Sequence, residues 1–262
     1  MTRRANPTWV FCGGMFRSAS TLQFQITARL VKDAAVGHQI GWIDAYRFAE
    51  TQQRYADIRG LKVGKVHVCS EPIQEEFLRQ NALGLYSYRD IRDVFSSYMK
   101  QRQKAFQFLW QEGFLETCLE NYKIWTSLPN MLVSSYRDLT EHLPQEVYRI
   151  AQHLQIPVSL ADCQAIAADY GLEFQQQRIQ SFRSQLLQAP LDPDDHREIV
   201  DYHDEETLLH MNHIDSAKSG RWQTELSEAE VCLIEQTVQD WCTRNALSPM
   251  LFLPSYPDLR LA

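Results

Sequence analysis

Apolar and polar positions follow two rhythms along the first half of the chain. Thr8 to Cys12 (TWVFC) is a short β-rich run that stops at Gly13-Gly14, which predicts a strand and a turn. From Ser20 the spacing turns helical, with Leu22, Ile26 and Leu30 recurring every four residues. The opening therefore reads strand, glycine turn, helix. Lys65 to Cys69 (KVHVC) predicts a second strand, followed by a helix that starts at Pro72 and ends before Ala82. Ala82 to Tyr88 (ALGLYSY) predicts a third strand. It runs into a helix with Ile91, Val94, Phe95, Tyr98 and Met99 on one face. Asn130 to Ser135 (NMLVSS) predicts a fourth strand, again followed by helical spacing. Strands alternating with helices predict an α/β fold, with a mostly parallel sheet covered on both faces.

After Pro144 the pattern is helical throughout. Ala189 to Glu206 is acidic and carries two prolines, so a surface loop is expected there. Ser227-Glu228-Ala229-Glu230 is a capping box that opens a helix with Val231, Ile234, Val238 and Trp241 on one face. The tail from Ser248 to Ala262 holds Pro249, Pro254 and Pro257, so it is expected to be irregular and laid against the body. The organisation expected is a single domain over 1–262, with an α/β core over 1–143 and a mainly helical part over 144–262.

Hydrophobic residues make up 44% of the 262 positions, enough to build a core and to exclude disorder as the main state. Lys plus Arg is 26 against 33 for Asp plus Glu, a net charge of −7. That balance argues against a general nucleic-acid binder or a binder of anionic membranes. It leaves room for a local basic pocket that holds one small anion. No apolar run reaches the ~18 residues of a membrane span, and the N-terminal apolar stretch is too short for a signal peptide. A cytoplasmic location is expected. The six cysteines are scattered without a CxxC pair, and in a reducing compartment they read as buried thiols. His203, His210 and His213 include an HxxH pair at His210, but no chemistry read here calls for a metal.

The segment Gly13-Gly14-Met15-Phe16-Arg17-Ser18-Ala19-Ser20-Thr21-Leu22 carries the chemistry. A strand, a glycine turn and small hydroxylated residues at a helix start bring backbone N–H groups and the positive end of a helix dipole together. Such a corner binds a tetrahedral oxyanion. Arg17 adds two charge-assisted hydrogen bonds. The same residues also serve as a plain strand-to-helix corner with Ser20 as N-cap. A nucleotide triphosphatase loop needs GxxxxGK[ST]. With Gly14 as its first glycine, Ala19 falls where the second should be and Ser20 where the lysine should be, so that reading fails.

The run Arg17-Ser18-Ala19-Ser20-Thr21 resembles the first loop of the sulfotransferases that use 3′-phosphoadenosine-5′-phosphosulfate (PAPS), K/R-S-G-T/S-T. Ala19 stands where that family has Gly, so the turn is expected to be one that a β-carbon tolerates. Tyr88-Arg89-Asp90-Ile91-Arg92-Asp93-Val94-Phe95-Ser96-Ser97-Tyr98 is similar to the family's Y-R-x-x-R-D-V-x-x-S-Y, whose Arg and Ser hold the 3′-phosphate. Lys65-Val66-His67 resembles its Lys-x-His, although a lone strand histidine is more often structural. Ser216-Ala217-Lys218-Ser219-Gly220-Arg221-Trp222 fits the Gly-x-Trp end of its C-terminal loop, without the Arg-Lys-Gly start of the cytosolic animal enzymes. Ser135-Tyr136-Arg137-Asp138-Leu139 is similar to Y-E-D-L and reads as structural.

This resemblance implies a P-loop-like three-layer α/β/α fold, with a mostly parallel central sheet and a helical C-terminal part. It implies sulfuryl transfer from PAPS, leaving adenosine 3′,5′-bisphosphate (PAP), with no metal required. Arg17, Ser18, Ala19, Ser20, Thr21 and Leu22 would hold the 5′-phosphosulfate, with Arg89 and Ser97 on the 3′-phosphate. Ser216, Lys218, Gly220, Arg221 and Trp222 would complete the nucleotide site. His67 would be the general base and Lys65 would stabilise the sulfuryl oxygens, with Arg17 also acting on the transferring group. The implied partner is a small soluble acceptor, with no nucleic acid and no membrane; a homodimer is left open. Val36 to Arg59 and the acidic loop after Pro190 are the expected acceptor-facing segments. The acidic balance favours a neutral or cationic acceptor, such as a guanidinium alkaloid of the saxitoxin type. Two other readings stay open, a small-molecule kinase of related architecture and a nucleotide-binding protein that has lost transfer. If His67 is not the base, His38 and Asp44 come next.

Overall fold

The computed structural model describes residues 8–188, 204, 206–210, 214 and 218–255. Strand β1 (Trp9–Gly14) is buried along its whole length. Its pleat sends Trp9 and Phe11 into one apolar cluster and Val10 and Cys12 into another. A strand buried on both faces belongs at the centre of a sheet, and β1 sits there. It is flanked by β3 (Leu61–Lys65) and β4 (Ala82–Tyr88), with β2 (Gly37–Trp42) and β5 (Met131–Ser135) at the edges. The order is β2-β3-β1-β4-β5 and every pair is parallel. Cys12 is level with Lys65 and with Leu85, and Gly14 with Ser87. The C-terminal ends of the three central strands therefore open onto one edge, where open α/β sheets place their ligands.

One face of the sheet is covered by α1 (Ser20–Asp33), α8 (Leu143–His153) and α9 (Leu160–Asp169). The other is covered by α3 (Glu71–Leu78), α4 (Ile91–Arg102), α5 (Phe106–Gln111), α6 (Phe114–Thr126) and α12 (Glu228–Asn245). The remaining helices are α2 (Phe48–Arg54), α7 (Tyr136–Glu141), α10 (Leu172–Gln188) and α11 (Trp222–Glu225). The expected capping box at Ser227 is formed, and Ile234, Val238 and Trp241 are buried behind it. Of the tail, Pro249–Leu251 forms a 3-10 turn and Phe252 is fully buried. The acidic stretch 189–203 and the end of the tail, 256–262, lie outside the described residues.

The strand expected at Lys65–Cys69 is Leu61–Lys65 instead. The ladder stops where Ile43 N donates to Lys65 O (2.9 Å) and Val66 N to Cys12 O (3.0 Å). Beyond that point the carbonyl of His67 is taken by helix side chains, so the alternation of KVHVC is not that of a strand. Strand β2 was hidden from a pattern search for two reasons. GHQIGW has little alternation, because an edge strand is half exposed. It also breaks register between Gln39 and Gly41, where Gly41 takes φ 78°. Five cysteines are buried as expected; Cys232 is exposed on α12.

The turn before α1 also departs from expectation. Ala19 adopts a left-handed conformation, φ 66° and ψ 23°, which a β-carbon opposes by about 1–2 kcal/mol. Arg17 is left-handed too, at φ 61°. Ala19→Gly should relieve that strain at a smaller entropic cost in the unfolded chain, for a net gain of about 1 kcal/mol and a Tm higher by ~2–4 °C. A lower Tm in calorimetry would mean that Ala19 is not held left-handed.

Candidate functional site

The loop between β1 and α1 is folded by its own side chains. Met15 N donates to Ser87 O at 2.9 Å. Ser18 Oγ donates to Met15 O at 2.7 Å and lies 2.8 Å from Ser87 Oγ. A β-carbon on Gly14 would collide with Ser87 Oγ and Ser20 Cβ, so only glycine fits there. The hydroxyl of Ser18 is thus spent on the loop, and only its backbone is left for a ligand. Helix α1 starts at Ser20 with no side-chain cap. Its first amides and the positive end of its dipole are of the kind that bind an anion.

The second motif closes on the first. Arg17 Nε donates to Ser97 Oγ at 2.9 Å. Arg89 leaves the end of β4 and donates to Arg17 O at 3.3 Å and to Lys218 O at 2.8 Å. Its guanidinium lies 4.0 Å from the centre of the Tyr136 ring and 3.4 Å from the Asp93 carboxylate. Among the described residues Arg89 Nε is buried with no hydrogen-bond partner. A buried donor left open at a pocket wall suits an anionic group.

Asp93 was not singled out from the sequence, and it holds this half together. Its carboxylate accepts from Gly220 N at 2.8 Å and from Trp222 N at 3.3 Å. The repeated Arg-Asp of Arg89-Asp90 and Arg92-Asp93 was the available signal. Asp90 caps α4 and pairs with Arg92 at 2.8 Å. Arg92 in turn lies 3.9 Å from the centre of the Trp222 ring. Trp222 therefore anchors the C-terminal loop from behind, and the Arg221 guanidinium pairs with Glu225. Ser216 lies outside the described residues.

Arg17 through Leu22, Arg89, Ser97 and Lys218 through Arg221 line one cavity of about 840 Å³. Trp222, Lys65 and His67 are not on its wall. Lys65, the last residue of β3, reaches the loop by donating from Nζ to Thr21 Oγ1. Burial, with the nearby Arg17 cation adding to it, pulls its ammonium down to about 7.

His67 stands two residues further on, half-buried. Its Nδ1 is 3.2 Å from Gly14 O. A carbonyl only accepts, so Nδ1 carries the hydrogen and Nε2 keeps its lone pair. The ring packs against Phe16 at 4.9 Å and edge-on to Trp42 at 5.4 Å. Burial first, then the Lys65 charge, pushes His67 down to about 3, so the imidazole is neutral at working pH. His210 adds slightly to that depression, which places it near the same ring. Among the described residues no three His, Cys, Asp or Glu side chains are placed to hold a metal ion. Of the alternatives to His67, His38 is exposed on β2 and Asp44 caps a 3-10 turn by accepting from Tyr46 N at 2.9 Å.

A buried Lys65 titrating near 7 ties anion binding to proton uptake. An anion beside it raises its pKa back toward the ordinary value. Affinity for PAP, whose phosphates are ionised above ~6, should fall by up to about tenfold per unit as pH rises from 7 to 9. Calorimetry at pH ~8 in buffers of different ionisation enthalpy should register about one proton taken up per site, and Lys65→Met should abolish it. An affinity flat between pH 7 and 9 would place Lys65 outside the anion's field.

No helix among the described residues is long and apolar enough to cross a membrane. No curated protein sequence matches the chain. Solved structures do. Retinol dehydratase, crystallised with androsterone and the inactive cofactor PAP, is 18% identical; the match covers 97% of this chain and 84% of that one at a TM-score of 0.62. Mouse sulfotransferase SULT7A1, complexed with PAP, is 12% identical; the match covers 92% of this chain and 85% of that one at a TM-score of 0.64. These likenesses establish the fold, a five-stranded parallel sheet with helices on both sides. The sulfotransferase domain family itself matches residues 19–248, from the N-cap of α1 to just beyond α12, and the chain belongs to that family.

Proposed function

We propose that the protein transfers a sulfuryl group from PAPS to a hydroxyl or amine of a small acceptor. The observation that carries this reading is the meeting of Arg17, Ser97 and Arg89 around one uncapped helix start, with a neutral imidazole on the other side of the same loop. The 5′-phosphosulfate would lie on the amides from Ser18 to Leu22 with Arg17. The 3′-phosphate would take Ser97 and the open donor of Arg89. Both solved relatives named above hold PAP, which supports a PAPS donor here.

In the transfer, the acceptor oxygen or nitrogen forms a bond to sulfur. The bond between sulfur and the bridging oxygen of the 5′-phosphate breaks, and PAP leaves with that electron pair. His67 Nε2 takes the acceptor proton, a contribution of ~10²–10⁴-fold for a well-placed base. Lys65 and Arg17 stabilise charge spread over the sulfuryl oxygens. The leaving group is already a stable anion, so no metal is required. The ring wall of Phe16 and Trp42 beside His67 forms the acceptor side, and Trp42 comes from the expected 36–59 segment. A net charge of −7 favours neutral or cationic acceptors over polyanionic glycans.

The test is PAP release from PAPS with a panel of phenols, alcohols, amines and guanidinium compounds, in EDTA. His67→Ala should lower turnover by ~10² or more with PAP affinity nearly unchanged. Arg89→Ala should weaken PAP by about 1.5–3 kcal/mol, as for a hydrogen bond lost to a charged group. Transfer by His67→Ala at the parent rate would remove His67 from the mechanism. Turnover seen only with magnesium and ATP would replace the whole reading with a kinase.

A further inference from the structure

His67 sits where the sheet has ended, so no strand ladder holds its backbone. One helix holds it instead. Its carbonyl oxygen accepts from Asn121 Nδ2 at 2.8 Å and from Trp125 Nε1 at 3.1 Å. These two residues are one turn apart on α6, so they share a face. Each donor is itself fixed. The hydroxyl of Tyr86, fully buried on β4, donates to Asn121 Oδ1 at 3.0 Å, which turns the amide's NH₂ toward His67. The Trp125 indole is fully buried, edge-on to Phe77 at 6.1 Å, and lies against the backbone of Gly13.

His67 is thus gripped at both ends. The oxyanion loop takes its ring through Gly14 O, and α6 takes its main chain. A carbonyl on a free loop would bond to water and let the peptide plane turn, carrying the ring with it. Catalytic groups displaced by ~1 Å lose on the order of 10² in rate.

We propose that Asn121 and Trp125 are positioning residues for His67, which keep its imidazole in the Nδ1–H tautomer and leave Nε2 for the acceptor's proton. This rests on His67 being the base. Tyr86 is the third member of the relay, through its hold on the Asn121 amide.

The tautomer readout needs no acceptor. Full-length protein labelled with ¹⁵N-histidine and saturated with PAP is followed by NMR between pH 5 and 8. In the parent, His67 should show one tautomer, protonated at Nδ1, and no titration in that range. Asn121→Leu removes one donor at constant shape, and Trp125→Phe removes the other while keeping a ring. In each, the two ring nitrogens should move toward averaged shifts and the ring should begin to titrate below pH 7. The double variant should exceed either, and PAP affinity should stay within about twofold as proof of fold. A His67 that keeps the parent's tautomer and insensitivity to pH in all three variants would overturn the proposal. His67→Ala, assayed beside them for transfer, separates the two claims: full transfer overturns the base assignment, and the tautomer readout alone then upholds or overturns the clamp.

Discussion

The clasp between Ser18 and Ser87 is the constraint on which the site depends. It ties the loop leaving β1 to the end of β4 through Met15, and it leaves no room for a side chain at Gly14. Three consequences follow from that one knot. The carbonyl of Arg17 is turned toward Arg89, Gly14 O is presented to His67, and α1 begins without a side-chain cap. The left-handed turns at Arg17 and Ala19 are the strain that the knot imposes, and the buried serines hold it in place.

The loop divides the chemistry into two sides. On the cavity side, Arg17 and Arg89 line the open space, with the Lys218–Trp222 loop fastened by the Asp93 carboxylate. On the far side, His67 sits among Phe16 and Trp42. Lys65 bridges the two through Thr21. An acidic chain therefore carries a local basic patch, because Arg17 and Arg89 line one cavity whose low-dielectric walls strengthen their field. Burial, more than that field, depresses both Lys65 and His67 in the free protein, Lys65 to about 7, and it leaves a neutral imidazole behind the loop.

Much of this was legible in the sequence, for reasons tied to particular residues. The all-buried run of β1 and the clean pattern of Ala82–Tyr88 gave away a central parallel sheet. The phosphate-type loop and the Tyr88–Tyr98 motif are local in sequence, so their spacing survives folding and could be read directly. What escaped was long-range or off-pattern. An exposed edge strand with a register break has no alternation to find. The end of β3 at Lys65 is decided by side chains of α6 more than fifty residues away. The work of Asp93 and Trp222 is a meeting of segments 129 residues apart. The strain at Ala19 is invisible to composition, since alanine is ordinary everywhere except at a positive φ.

The central claim is that the Arg17–Ser97–Arg89 cluster beside the oxyanion loop recognises a nucleotide bearing phosphates at both the 3′ and 5′ positions. Titration calorimetry in EDTA, with PAP and with AMP, tests it most directly. The account predicts that PAP binds at least about tenfold more tightly without metal, the worth of one or more charge-assisted hydrogen bonds to the added phosphate. Equal affinity for the two nucleotides would contradict it.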